Sequence, residues 1–123
     1  MLDAGALLAV ERADRMMLAR LRSAERHGLG LRSKAMIVAQ VWRDPRGRQA
    51  RLARFLRAVD VRAVDPEQGR DAGLLLGRSR TSDPIDATVV LIADHGDRIV
   101  TSDPDDIRHL VAADGKRCAV IDC

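Results

Sequence analysis

The sequence predicts an α/β domain in three layers, with a mainly parallel central sheet and helices on both faces. Three observations carry this. Segments with the two-residue period of a strand alternate with segments of helical period along the whole chain, the pattern of strands joined by crossover helices. Hydrophobic residues make up 46% of the 123 residues, enough for a core, yet there is one Trp, one Phe and no Tyr, so that core is aliphatic. No Gly/Ser- or Pro-rich linker and no solenoid repeat divides the chain, which leaves residues 1–123 as one domain.

The elements follow in order. Met1 to Asp3 is short, but an apolar entry followed by Asp-Ala-Gly reads as a strand end. Ala6 to Glu11 is helical in composition. Ala13 to His27 carries Met16, Met17, Leu21 and Ala24 at helical spacing and stops at Gly28. Ser33 can cap a helix through Met36, Ile37, Gln40 and Val41, although Met36 to Val41 is apolar enough to be a buried strand. Arg48 to Ala58 is amphipathic: at about 100° per residue Leu52, Phe55 and Leu56 share a face, and Arg51, Arg54 and Arg57 point away from it. Ala58 to Val64 alternates as a strand does. Asp65-Pro66 opens a helix that Gly77 stops, and Pro84 to Asp94 is a further, very apolar helix. Arg98 to Val100 is a strand, Pro104 to Ala113 a helix and Cys118 to Ile121 the last strand.

Of 21 basic residues only Lys34 and Lys116 are lysines, and the net charge is +3. Arginine forks phosphate bidentately, so an Arg-rich surface suits nucleic acid or an acidic protein; arginine-biased codons would give the same ratio. Arg43, Arg46, Arg48, Arg51, Arg54 and Arg57 form a basic stretch that reads either as a track for RNA phosphates or as a solvated helix face. The scarcity of aromatics argues against tight single-strand binding by stacking. Cys118 and Cys123 make no CxxC pair and no metal-ligand spacing with His, which suggests a reducing, cytoplasmic compartment without a disulfide. No apolar run is long enough to span a bilayer, and no signal-like start is seen, so no membrane association is expected.

The chemistry lies in the acids. In parallel sheets ligands bind beyond the carboxyl ends of strands, where Asp3 and Asp103 both fall. Asp86 sits in the first turn of the Pro84 helix. Carboxylates held together repel and raise one another's pKa, a conflict that Mg²⁺ or Mn²⁺ removes. Capping is the competing explanation. Asp83-Pro84-Ile85-Asp86 and Asp103-Pro104-Asp105-Asp106 both look like helix starts, with Asp at the N-cap and Pro after it. Asp3, at a strand end, has no such role. His27, His95 and His109 are scattered without a nucleophile or ligand spacing, Ser82 and Ser102 lack a His-Asp arrangement, and there is no glycine-rich phosphate loop.

The residues Leu2-Asp3-Ala4-Gly5-Ala6-Leu7-Leu8-Ala9, Ala39-Gln40-Val41-Trp42-Arg43, Thr81-Ser82-Asp83-Pro84-Ile85-Asp86-Ala87 and Val100-Thr101-Ser102-Asp103-Pro104-Asp105-Asp106, in this order and spacing, resemble the PIN-domain nucleases, and within them the VapC-type toxins of toxin–antitoxin modules. The resemblance runs over nearly the whole chain. It implies a PIN-like fold and a Mg²⁺- or Mn²⁺-dependent endoribonuclease that dimerises and is held inactive by a cognate antitoxin. It implies metal-binding, catalytic carboxylates at Asp3, Asp86 and Asp103, with a further acid near Asp106, while Thr101 or Ser102 could orient Asp103 or a water. The family's helical Glu matches position 40, where this chain has Gln40. An amide still accepts a hydrogen bond but carries no charge, so the pocket is one charge short unless Glu11, Asp83 or Asp106 compensates. That departure keeps a second expectation open, a PIN fold with weakened catalysis that binds RNA or a partner. A flavodoxin-like signalling module also places acids at strand ends, but its mid-chain phosphoacceptor Asp followed by a Lys-bearing strand is missing.

Overall fold

The computed structural model describes residues 1–43 and 46–123. Among the described residues it is a mixed α/β fold with seven helices and short parallel strands in two small sheets. The chain runs α1 (Ala4–Glu11), α2 (Arg15–Arg26), β1 (Arg32–Lys34), α3 (Ala35–Val41), α4 (Ala50–Leu56), β2 (Asp60–Arg62), α5 (Pro66–Ser79), α6 (Pro84–Ile92), β3 (Arg98–Thr101), α7 (Pro104–Asp114) and β4 (Ala119–Asp122).

β1 pairs in parallel with β2, and β3 with β4. The opening residues touch both pairs. Leu2 N–H donates to Arg32 O at 2.8 Å, Asp3 N–H donates to Val100 O at 3.0 Å, and Val100 N–H donates to Met1 O at 3.0 Å. Leu2 and Val100 form a parallel bridge. Asp3 is therefore carried at the carboxyl end of a segment gripped from both sides, as its place after an apolar entry suggests.

The core is aliphatic, as composition requires. Leu7 of α1, Ile37 of α3, Leu52 of α4, Leu75 of α5, Val89 and Val90 of α6, Ile99 of β3 and Ile107 of α7 are fully buried. At about 25 cal/mol per Å² such burial dominates stability. Among the described residues no helix is long and apolar enough to cross a membrane.

Several boundaries differ from expectation for local reasons. Ser33 does not cap α3: it lies in β1, and its hydroxyl donates to Leu2 O at 2.9 Å, holding the opening segment instead. Met36 to Val41 is helical, not a strand. The expected strand Ala58 to Val64 shrinks to three exposed residues of β2, because a sheet edge gives no burial for the alternation to follow. Gly77 does not stop α5; the helix runs to Ser79 and ends on Arg80 in the left-handed region, φ 57°. Met16 is 66% exposed, outside the apolar stripe assigned to it, and Met17 is the buried member. Lys34 is buried, its ammonium donating to Ala63 O at 3.2 Å and Gln68 Oε1 at 2.5 Å, so it ties β1 to the start of α5. Burial lowers its pKa.

Candidate active site

Three segments deliver acids to the carboxyl ends of the strands. Asp3 follows the opening segment and is the N-cap of α1, but its side chain caps nothing. It is 7% exposed. One carboxylate oxygen, Oδ2, accepts from the buried hydroxyl of Thr101 at 2.7 Å. Thr101 Oγ1 in turn accepts from Asp103 N–H at 3.0 Å. A single threonine at the end of β3 thus holds the first acid and the backbone of another. Gly5 lets α1 start this close: a Cβ there would lie 2.8 Å from Ser102 N, and only glycine tolerates that approach.

Asp103 is the N-cap residue of α7 and also makes no side-chain cap bond. The capping explanation therefore fails for Asp103, and Asp3, for which none was expected, makes no cap bond either. It succeeds for Asp83, whose Oδ1 accepts from Ile85 N–H at 2.8 Å and Asp86 N–H at 3.2 Å. This leaves Asp86, one turn into α6 and half-buried, uncommitted among the described residues.

Asp86 reports on its surroundings. Its carboxyl is pushed up to about 7, first by burial and then by the negative charges of Asp83, Asp3, Asp103 and Asp106. These are acids from the opening segment, α6 and the β3–α7 junction, so the fold brings the three expected carboxylates into one electrostatic neighbourhood. No described Lys or Arg forms an ion pair with any of the five, although the chain has 21 basic residues. A cavity of about 270 Å³ opens beside them, lined by Thr81, Ser82, Asp83, Asp86, Asp106 and Leu110. Among the described residues no three His, Cys, Asp or Glu side chains stand at ligand spacing around one point. The acids are neighbours rather than a closed cage. Their donor set, carboxylate oxygen without a counter-cation, matches a hard divalent ion.

The remaining expected residues divide. Asp106 and Ser102 are exposed at the rim, and Asp106 lines the cavity. Gln40 is exposed on α3, and its amide makes no hydrogen bond among the described residues. Glu11 is occupied: its Oε2 accepts from Gln49 Nε2 at 3.0 Å, and it is not among the charges that raise Asp86. Of the acids that could compensate for Gln40, Asp83 and Asp106 are near and Glu11 is not. Arg43, Arg46, Arg48 and Arg51 are all exposed. Arg43 donates to Ala39 O and Trp42 O, and Arg51 donates to Glu11 O. The stretch also spans residues 44 and 45, which lie outside the described ones.

The three histidines hold local contacts: His27 Nδ1 with Ser23 O, His109 Nε2 with Ser79 O, and His95 Nδ1 accepting from Arg117 N–H. Sequence reasoning missed Gln49, whose amide joins α1, Val41 O and Arg43 N–H. Its partners span up to 38 positions, and no local signal marks them. No protein-family model matches the chain, and neither a curated protein nor a solved structure matches it.

Proposed function

We propose that the protein is a divalent-metal-dependent endoribonuclease with a PIN-like, three-layer fold. The observation that carries the reading is the clustering of unpaired acids, reported by the carboxyl of Asp86 at about 7. The opening segment's bonds to both small sheets support a single central layer, which is what a PIN-like arrangement needs.

Asp3, Asp86 and Asp103 would hold Mg²⁺ or Mn²⁺, with Asp83 and Asp106 adding negative charge in place of the family's Glu. The ion, when bound, supplies water activation and charge stabilisation at a phosphodiester. The chain's own residues do the rest. Thr101 fixes the Asp3 carboxylate in one orientation and leaves its second oxygen for a ligand. Asp3 is buried and Asp86 half-buried, while Asp83, Asp103 and Asp106 are open to solvent. Asp86, raised to about 7, is partly protonated near neutral pH. The exposed arginines Arg43, Arg46, Arg48 and Arg51 would meet RNA phosphates. In this reading a cognate antitoxin and a second copy of the chain are the protein partners, as in the VapC-type toxins.

The test is cleavage of a structured RNA with Mn²⁺ by wild type and by Asp3→Asn. The expected loss is at least about 100-fold. Equal cleavage by both, or none by wild type, rejects the reading. A second reading, a PIN fold that binds without cutting, is favoured by the exposed, unbonded Gln40. Gln40→Glu separates the two: a large gain in cleavage marks a weakened site, and no change marks a nuclease that works with the amide.

A further inference from the structure

One arginine stands on the same rim as the acids and is held there by the fold. Arg20 projects from α2, and its Nη1 donates to Asp122 O at 2.7 Å, at the carboxyl end of β4. The strand register pairs Asp122 with Thr101, and Cys123 N–H donates to Thr101 O at 3.0 Å. Thr101 is also the residue whose hydroxyl holds the Asp3 carboxylate. Arg20 and Asp3 therefore flank Thr101 from the two segments that neighbour β3. The Cys123 thiol feels both: burial raises its pKa, Asp122 and Asp3 add to the rise, Arg20 opposes it and Asp14 adds again.

The acids around Arg20 do not neutralise it by contact. No described acid forms an ion pair with it, and Asp14 is occupied as the cap of α2, accepting from Met17 N–H at 2.8 Å. Arginine carries five N–H donors in a planar fork. One is spent on the Asp122 carbonyl, and the others make no bond among the described residues. The side chain is half-buried, so little conformational freedom is left to lose when an anion arrives. A polyanionic strand entering the acidic end is repelled by its carboxylates, and a fixed guanidinium beside Asp3 offsets that repulsion.

Resting on the nuclease reading above, we propose that Arg20 binds the RNA phosphate next to the one being cleaved, on the β4 side of Asp3. The fork meets the two non-bridging oxygens of that phosphodiester, and the Asp122 carbonyl keeps it aimed.

The test is anisotropy of a labelled RNA hairpin on the full chain, with Ca²⁺ present, across a salt series. Arg20→Gln should weaken binding about 10-fold and lower the salt slope by about 1. Its melting temperature and its Mn²⁺ affinity by calorimetry should stay at the wild-type values. Arg20→Lys keeps the charge and loses the fork, so it should bind a few-fold more weakly at an unchanged slope; if Arg20→Gln does not fold, this variant decides. Arg22→Gln, exposed at about 200° around α2 from Arg20, should bind as wild type does. Wild type that binds neither Mn²⁺ nor RNA rejects the nuclease reading and this proposal together. Wild type that binds both, with Arg20→Gln matching it in affinity and slope, rejects the role of Arg20 alone and leaves it a latch between α2 and β4. Equal weakening by Arg22→Gln would overturn the proposal in favour of diffuse charge. Displacement of the RNA by polyglutamate would overturn it in favour of an acidic protein partner.

Discussion

The two ends of the strands treat aspartate in opposite ways. At the starting ends, Arg32 lies between Asp94 and Asp97 and donates to both, and Asp97 also accepts from Asp94 N–H at 2.8 Å. The Arg32 hydrogen bond and charge hold the carboxyl of Asp94 below its usual value. At the carboxyl ends burial and the charges of Asp83, Asp3, Asp103 and Asp106 raise Asp86 to about 7, and no described cation pairs with any of the five. The same residue type, on the same few strands, is structural at one end and costly at the other. Like charges held close without compensation oppose folding.

The comparison can be broken in several places. Gly5→Ala carries the largest expected effect on stability. It drives a methyl into Ser102 at the base of the acidic end, at a cost of about 2–3 kcal/mol by overpacking, measurable by chemical denaturation. Asp97→Asn comes next. It removes the half-buried ion pair with Arg32 and should destabilise by about 1–2 kcal/mol. Asp86→Asn should do the reverse, stabilising the metal-free protein by about 1 kcal/mol at pH 8. That figure is discounted for solvent screening of a half-exposed group. If both aspartate variants shift stability the same way, the contrast between the two ends is lost.

The pH dependence sharpens the same contrast. The folded-state pKa of Asp86 is raised from 3.8 to about 7, so between these values the folded state binds more protons than the unfolded one. Stability contributed by this group is therefore greatest at acid pH and declines as pH rises from about 4 to 7. Asp94, whose pKa is lowered, works oppositely: its pairing stabilises above the unfolded value and is lost as pH falls. Denaturation of wild type and Asp86→Asn across pH 4 to 8 should show the two curves diverging toward the alkaline side. Parallel curves would remove Asp86 from the account.

Much of the candidate site was legible because its residues sit at recognisable punctuation. Asp3 ends an apolar segment, and Asp83-Pro84 and Asp103-Pro104 open helices. Punctuation alone does not separate caps from free acids. Asp83 and Asp103 look alike in sequence, yet only Asp83 caps: its backbone is extended, ψ 105°, as an N-cap's is, and that of Asp103 is not, ψ 70°. The helices were legible from their apolar period; β2 was foreseen within Ala58 to Val64 but is only three exposed residues long, and β1 was missed, since Arg32-Ser33-Lys34 carries no apolar alternation. The Arg32–Asp94–Asp97 network joins positions more than 60 residues apart. Nothing local in a charged stretch announces which arginine meets which acid.

The most direct test of the central claim is a Mn²⁺ titration by calorimetry at pH 8, on wild type and on Asp3→Asn. The account predicts saturable binding to wild type, a rise in melting temperature with Mn²⁺, and the loss of both on replacing one carboxylate. Wild-type protein that binds no Mn²⁺, or an Asp3→Asn variant that binds it equally well, would contradict the reading of these acids as a metal site.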